Sequence, residues 1–530
     1  MEVKRLNRKE TGLFSEQHLR MVYHQEQLET YIQAPFEKRS FGKQIDARGS
    51  QFSGEQRAVL TRSLLAQYKG VEHAGASLKN IELLNRENTF TVTTGHQLSL
   101  FAGPLFFVVK VLQVIRLSEA LSEWYPKFNF VPVFWMASED HDAEEVQSVN
   151  LFNRSLTFDY EQRGAAGHFS LEHFEPFRAS LRELFSQNEI AEVKAAIESY
   201  KGHSLAEATR NLVHYLFGQY GLVIVDGDDA DLKRRFLPIM KKEVKTHFSH
   251  KAVNRTSELL EQEGLKRQVH AREINLFYLG EGSRDRIIRQ GKEYHAGDKK
   301  WSEQDLYKEM EVHPQAFSPN VILRPVYQEC ILPNLSYTGG AGEISYWLQL
   351  REVFEEAGVL FPLIQVRNSV LWIEKGVRKK MEKVGLALTD LFTPADQLKK
   401  AYIKQKHQKA LDFGELALRK KALVAEIRQL ILGADANLEG FFHAESRKIE
   451  KQLEMIQSRL IKVLKEKDDQ AMKDIDFVKG RLFPNGTMQE RVVSFFSFCA
   501  DGSVFNRLEF LKGAIDPFGG DFFVLMDELK

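Results

Sequence analysis

Apolar residues change period within the first third of the chain, and the change predicts a strand–helix–strand unit. Phe90 and the β-branched stretch TVTT at 91–94 form a short continuous run that Gly95 is expected to stop. Leu105, Val108, Leu112 and Ile115 then recur three and four residues apart, the spacing of one buried helix face. Residues 130–136 (FVPVFWM) are apolar without alternation, as in a parallel strand covered on both faces. Polar residues gather where each strand ends: Gly95, His96 and Gln97 after the first, Glu139, Asp140, His141 and Asp142 after the second. Ligand crevices of open α/β sheets lie at the carboxyl ends of the strands, so both sets are expected to face one cleft.

The same reading extends along the chain. Residues 1–88 look helical, with Leu60, Leu64 and Tyr68 on one apolar stripe. SLTFDY and GHFSL, around Gly164 and Gly167, predict a small inserted hairpin, with helical patterns near 174–198 and 204–220. A buried strand at 221–225 ends in Asp226, Gly227, Asp228 and Asp229. The Lys-, Arg- and His-rich run at 231–272 reads as a solvated helix face. A second insertion is expected near 268–320, with the core resuming at SPNVILRP. A helix from 344 to 356 and a last core strand near 359–366 follow. Leu423, Ile427 and Leu430, then Ile449, Leu453, Ile456, Leu460 and Val463, carry a coiled-coil seam on either side of Gly433. An antiparallel helical hairpin follows, too thin to bury a core of its own, so it needs a partner surface. VVSFFSF near the end reads as an aromatic helix packed back at the base.

Composition narrows the class. With 530 residues, two to four domains or one large domain with insertions are expected. Lys plus Arg equals Asp plus Glu at 73 each, so no overall field draws the chain to nucleic acid or anionic membrane. Cys330 and Cys499 supply neither a disulfide framework nor a zinc set, which points to a reducing cytoplasm, and both read as inert core thiols. No run of ~18 apolar residues predicts a membrane span, and the first residues lack a signal-peptide core.

Several positions carry more chemistry than packing needs. Gly95 and Gly103 could bring backbone N–H groups close to a phosphate or carboxylate, although no Walker loop or GxGxxG is present, and taken alone a tight turn explains them better. Lys110 reads as a solvated residue. Three carboxylates around His141 could raise its pKa, orient its tautomer or hold a divalent metal. An ordinary helix N-terminus would explain the acids but not the imidazole. Arg324 sits in an apolar segment with Gln328, Asn334, Tyr337 and Glu343. A buried Arg needs an internal acid or an anionic ligand, and Arg367 makes the same case. These residues alone define an α/β protein with an anion-binding cleft and a helical hairpin.

Five stretches, in order, resemble the bacillithiol biosynthesis cysteine-adding enzyme family, the cysteine ligases. They are GHQLSLFAGPL at 95–105, VPVFWMASEDHD at 131–142, SPNVILRPVYQ at 318–328, LPNLSYTGGAGEISYW at 332–347 and LFPNGTMQER at 482–491. His96 stands where that family has Gln, which argues against an essential base there. The resemblance implies a Rossmann-like core with connecting-peptide insertions, similar to class I aminoacyl-tRNA synthetases, plus an α-helical antiparallel coiled-coil domain that forms homodimers. The core would span 1–375, with a helical part at 1–88 and insertions about 150–200 and 265–318. The coiled coil would span 376–475, and 476–530 would pack back on the core.

The implied reaction joins the carboxyl of L-cysteine to the amine of glucosaminyl malate, completing bacillithiol, with ATP/ADP and Mg as candidate cofactors and no zinc. His141, braced by Asp140 or Asp142, is the expected general base. Arg324 and Arg367 are the expected forks for the malate carboxylates. Gly95, His96, Gln97, Glu139, Gln328, Asn334, Tyr337 and Glu343 are expected to line the site. A catalytically silent scaffold would make the EDHD loop mere helix capping. An RNA-binding synthetase relative would use the basic 231–272 run and show salt-dependent affinity.

Overall fold

The computed structural model describes residues 1–160, 162–186, 191–412, 414–500 and 504–529. Its centre is a five-stranded, all-parallel sheet in the order Leu363–Val366, Asn334–Gly339, Thr89–His96, Asn129–Met136, Val223–Asp226. Seven of the eight residues in each of the two longest strands are buried, so the missing alternation reflects cover on both faces. Gly95 does not end the first strand. The strand runs on to His96, which pairs with Met136. The helix Leu105–Trp124 makes the crossover between these two strands and packs against both. The chain leaves Thr89–His96 towards one edge and returns to its other side at Asn334–Gly339, so the strand order reverses between them. That reversal is where open α/β sheets form their ligand crevice.

The N-terminal part is helical, and Leu60, Leu64 and Tyr68 are buried as their spacing predicts. It begins, however, with a strand, Glu2–Leu6. This strand is antiparallel to Phe522–Met526, which runs parallel to Ser369–Ile373. Its partner lies more than 510 residues away, so the local sequence holds no sign of the pairing.

The first insertion contains a hairpin, but not the expected one. Ser148–Leu151 pairs with Arg154–Thr157 through a turn at Phe152 and Asn153, both with positive φ, while Ala166–His168 is a 3-10 turn rather than strand. The second contains two small antiparallel sheets, one built from Phe317–Pro319, Leu276–Gly280 and Ser283–Arg286. Residues 317–319 thus belong to the insertion. The core resumes only after the helix Leu323–Ile331, and the helix expected at 344–356 is two, Ala341–Trp347 and Arg351–Ala357.

The hairpin arms are Gly414–Ala434 and Glu439–Lys467, the longer about 44 Å at 1.5 Å per residue. Leu423, Leu430, Ile456 and Leu460 remain exposed on them. The aromatic stretch near the end is a 3-10 turn, Phe495–Cys499, with the helix Val504–Ala514 behind it. Phe495 and Phe496 are buried in the main core.

Candidate active-site cleft

At the strand-order reversal lies a cavity of 640 Å³, within the range of small-molecule sites. Gly95, His96, Gln97, Glu139, Asp140, Arg324, Tyr337, Glu343 and Arg367 line it, so the polar ends of separate strands do converge. Gln328 and Asn334 lie beneath the floor instead, both fully buried. There Glu329 accepts from Gln328 at 2.9 Å, from Asn334 at 2.7 Å and from Arg48 at 2.8 Å. Three donors satisfy a carboxylate that burial still pushes up to about 7, against the Arg48 charge.

Lys110 is not solvated. It is fully buried, and its Nζ donates to the Gly95 carbonyl at 2.6 Å and to Glu343 Oε2 at 2.7 Å. The Gly340 N–H also donates to Oε2 at 2.7 Å, and the Tyr337 hydroxyl to Oε1 at 2.8 Å. Burial alone would raise the Glu343 carboxyl, but the Lys110 charge and these donors hold it at about 2. Glu343 is therefore a fixed anion in the cavity wall. His96, stacked on Phe107, is held neutral, its pKa lowered to about 3 by burial and then by the Lys110 charge.

Arg324 donates to Gln328 Oε1 at 3.1 Å and to the Tyr346 hydroxyl at 3.2 Å, and forms no ion pair among the described residues. Its hydrogen bonds go to neutral acceptors, with the Glu343 carboxylate a counter-charge beyond ion-pair distance, the condition of a guanidinium able to take an anion. Arg367 differs. Its Nη1 and Nη2 donate to the two Glu490 oxygens at 3.0 and 2.9 Å, with both side chains buried, so its fork is already occupied. It forms part of the wall, and the expected free fork is corrected to Arg324 alone.

The expectation for His141 is also corrected. Its Nδ1 accepts from Arg284 Nη1 at 3.0 Å, and Arg can only donate. The neutral ring therefore carries its proton on Nε2 and offers the cleft no free lone pair. Asp140 does not brace it, because their 3.6 Å separation is too long for a hydrogen bond. The Asp140 carboxylate accepts from Gln97 at 2.9 Å and from the His141 backbone N–H at 2.9 Å. Burial opposes its ionisation, but the nearby His141 ring, these bonds and Arg284 hold it well below the usual range. His141 and Asp142 are exposed, outside the cavity wall.

The second insertion brings in what the sequence reading missed: His270, Arg272, Arg284 and Arg286 line the outer wall. Arg284 and Arg286 alternate in Ser283–Arg286, and that period of two was the available signal that they share a face. Arg284 lies 4.1 Å from the Phe277 ring centroid and bonds Ser318 at 3.3 Å. Cys330 is pushed up to about 12 by burial, in keeping with an inert thiol. Among the described residues, no group of three or more His, Cys, Asp or Glu could hold a metal ion.

A parallel-sheet core whose crevice is lined by arginines, joined to a helical hairpin, defines a Rossmann-like protein with a coiled-coil domain. The model of the N-terminal Rossmann-like domain of bacillithiol biosynthesis BshC matches residues 1–368, and that of its C-terminal coiled-coil domain matches residues 370–526. The chain belongs to the BshC family. Among its relatives, a Flavobacterium johnsoniae protein is 41% identical over 87% of each chain, one from Cytophaga hutchinsonii 38% over 87%, and one from Christiangramia forsetii 34% over 97%. All three are named "Putative cysteine ligase BshC". A Campylobacter jejuni crystal structure described as a "putative arginyl t-RNA synthetase" aligns with 86% of this chain at 11% identity. Its TM-score of 0.21 relates nothing further.

One substitution tests the wall directly. A Cβ on Gly95 would stand 3.2 Å from the Tyr337 hydroxyl, which must then shift by a few tenths of an ångström where it bonds Glu343. Gly95→Ala is expected to weaken ligand binding several-fold while the fold persists, checked by ligand-induced thermal shift.

Proposed function

We propose that this chain is a cysteine ligase that joins the carboxyl of L-cysteine to the amine of glucosaminyl malate. The observation that carries the reading is Arg324, a guanidinium in the cavity wall with no carboxylate partner, at the sheet's strand-order reversal. Malate carries carboxylates, which suit the fork of Arg324. Glu343, kept anionic, suits an ammonium group of either substrate. Membership of a family with relatives named as cysteine ligases supports the same chemistry.

An amine does not displace a carboxylate oxygen unaided, so the cysteine carboxyl needs activation. Arginines fit phosphate as well as carboxylate, so the insertion residues Arg272 and Arg286 would hold nucleotide phosphates while Arg324 takes the malate. A bound ATP would supply the leaving group for the cysteine carboxyl. The exposed stripe of Leu423, Leu430, Ile456 and Leu460 suits a second copy of the chain, giving a homodimer.

The test is incubation of purified protein with glucosaminyl malate and L-cysteine, with and without ATP and magnesium, following the product mass. A product heavier than glucosaminyl malate by one cysteinyl residue, formed only with ATP, is expected. Folded protein that makes no such product, and does not bind glucosaminyl malate, would overturn the reading and favour a silent scaffold.

A further inference from the structure

The amine that attacks must lose a proton, and His141 presents no lone pair for it. Another lining group does. Glu139 is buried and lines the cavity, and its Oε1 is a buried acceptor. Its one close partner is the ammonium of Lys233, an ion pair at 2.7 Å. Lys233 belongs to the run expected to be a solvated face, yet it is 1% exposed. Its Nζ also donates to Asp228 Oδ1 at 2.8 Å and to the Gln315 carbonyl at 2.9 Å. Asp228 Oδ2 pairs in turn with His168 Nε2 at 2.5 Å. His168 is exposed and, with Asp228, lines a second cleft of 550 Å³.

We infer that Glu139 takes the proton from the substrate amine, and that Lys233, Asp228 and His168 position it and connect it to the second cleft. The inference rests on the ligase reading above. In the step, the N–H bond breaks and the proton goes to a Glu139 oxygen. The nitrogen lone pair forms the C–N bond to the cysteine carbonyl carbon. The bond from that carbon to its leaving oxygen breaks, the electron pair departing with the group that a nucleoside triphosphate, the required co-reactant, provides.

The surroundings suit the task. Burial lifts the Glu139 carboxyl above its ordinary value against the Lys233 charge, which makes it a better proton acceptor than an exposed acid. The charged and titratable groups facing it are Lys233 from Ala230–Thr246, Asp228 beyond Val223–Asp226, Arg284 from Ser283–Arg286 and Tyr327 from Leu323–Ile331. Asp140 follows it in its own loop. The nearest cation holds one carboxylate oxygen, Oε1, in place, which leaves the other for the substrate's N–H.

The test compares the wild type with Glu139→Ala, Glu139→Gln and His168→Gln, by calorimetric titration with glucosaminyl malate and by single-turnover rates with and without added formate. Both Glu139 variants are expected to bind the acceptor yet turn over roughly 10²–10⁴-fold more slowly, the range of a lost general base. Formate is expected to restore part of the Glu139→Ala rate and none of the Glu139→Gln rate, which a packing role would not do. His168→Gln is an exposed change that leaves the network one cation poorer when His168 is protonated. Its acid limb in kcat/KM is expected to move to higher pH. A Glu139→Ala rate within tenfold of wild type, or a slow rate that formate leaves unchanged, would overturn the inference. A wild type that neither binds the acceptor nor makes product would instead remove the ligase reading on which it rests.

Discussion

Lys110→Met is expected to destabilise the protein by about 3–5 kcal/mol at neutral pH, because it strands the Glu343 carboxylate in a buried wall. Lys110 is fully buried, and its two acceptors, Gly95 O and Glu343 Oε2, lie 2.6 and 2.7 Å away. The Gly340 N–H and Tyr337 hydroxyl alone would then face the charge. Denaturant unfolding of wild type, Lys110→Met, Glu343→Gln and the double variant measures the coupling. The double variant is expected to be less damaged than the sum of the singles. The sign with pH is set by Glu343, whose carboxyl is lowered from 4.5 to about 2. Its contribution is present above about 4.5 and is lost as pH falls towards 2. The deficit of Lys110→Met relative to wild type should therefore shrink across that window. A deficit constant from neutral pH down to acid would show that Glu343 does not bear the loss.

Arg324→Ala is expected to weaken binding of glucosaminyl malate by roughly 10–150-fold, the equivalent of one charge-assisted hydrogen-bond set at about 1.5–3 kcal/mol. Its guanidinium lies over the Tyr337 ring at 5.8 Å and is anchored by Gln328 and Tyr346, so it is held in place before any ligand arrives. Arg324→Lys should recover little, since a point charge cannot reproduce the two-pronged contact. Arg367→Lys should act differently, lowering stability through the lost Glu490 pairing more than it alters affinity. Calorimetric titration beside thermal unfolding separates the two. Equal losses of affinity at both positions would contradict the division of labour between them.

The two cases show why some of the site was legible and some was not. Arg324 stood out because a guanidinium in an apolar run demands a partner, and that demand is local. Arg367 made the same demand and met it with Glu490, 123 residues further on. Whether such a residue serves a ligand or the fold depends on what lies across from it, which spacing along the chain does not record. Lys110 and Lys233 were misjudged for the same reason. Each sits on a helix, and its depth is decided by the acid that meets it, Glu343 for one, Glu139 and Asp228 for the other.

The sequence by itself determined the βαβ unit around Thr89–His96 and Asn129–Met136, the hairpin of Gly414–Ala434 and Glu439–Lys467, and the polar residues at the strand ends. Periodicity reports burial of a face, and chain direction places the ends of parallel strands together, so these features need no knowledge of distant partners. The tertiary structure alone decided the three-stranded sheet of Glu2–Leu6, Phe522–Met526 and Ser369–Ile373, and the arrival of Arg284 from an insertion at His141. It also decided which carboxylates are neutralised and which stand open to the cleft. The sheet and the Arg284 contact join segments more than 140 residues apart, and electrostatics in a buried site is set by the groups that meet there.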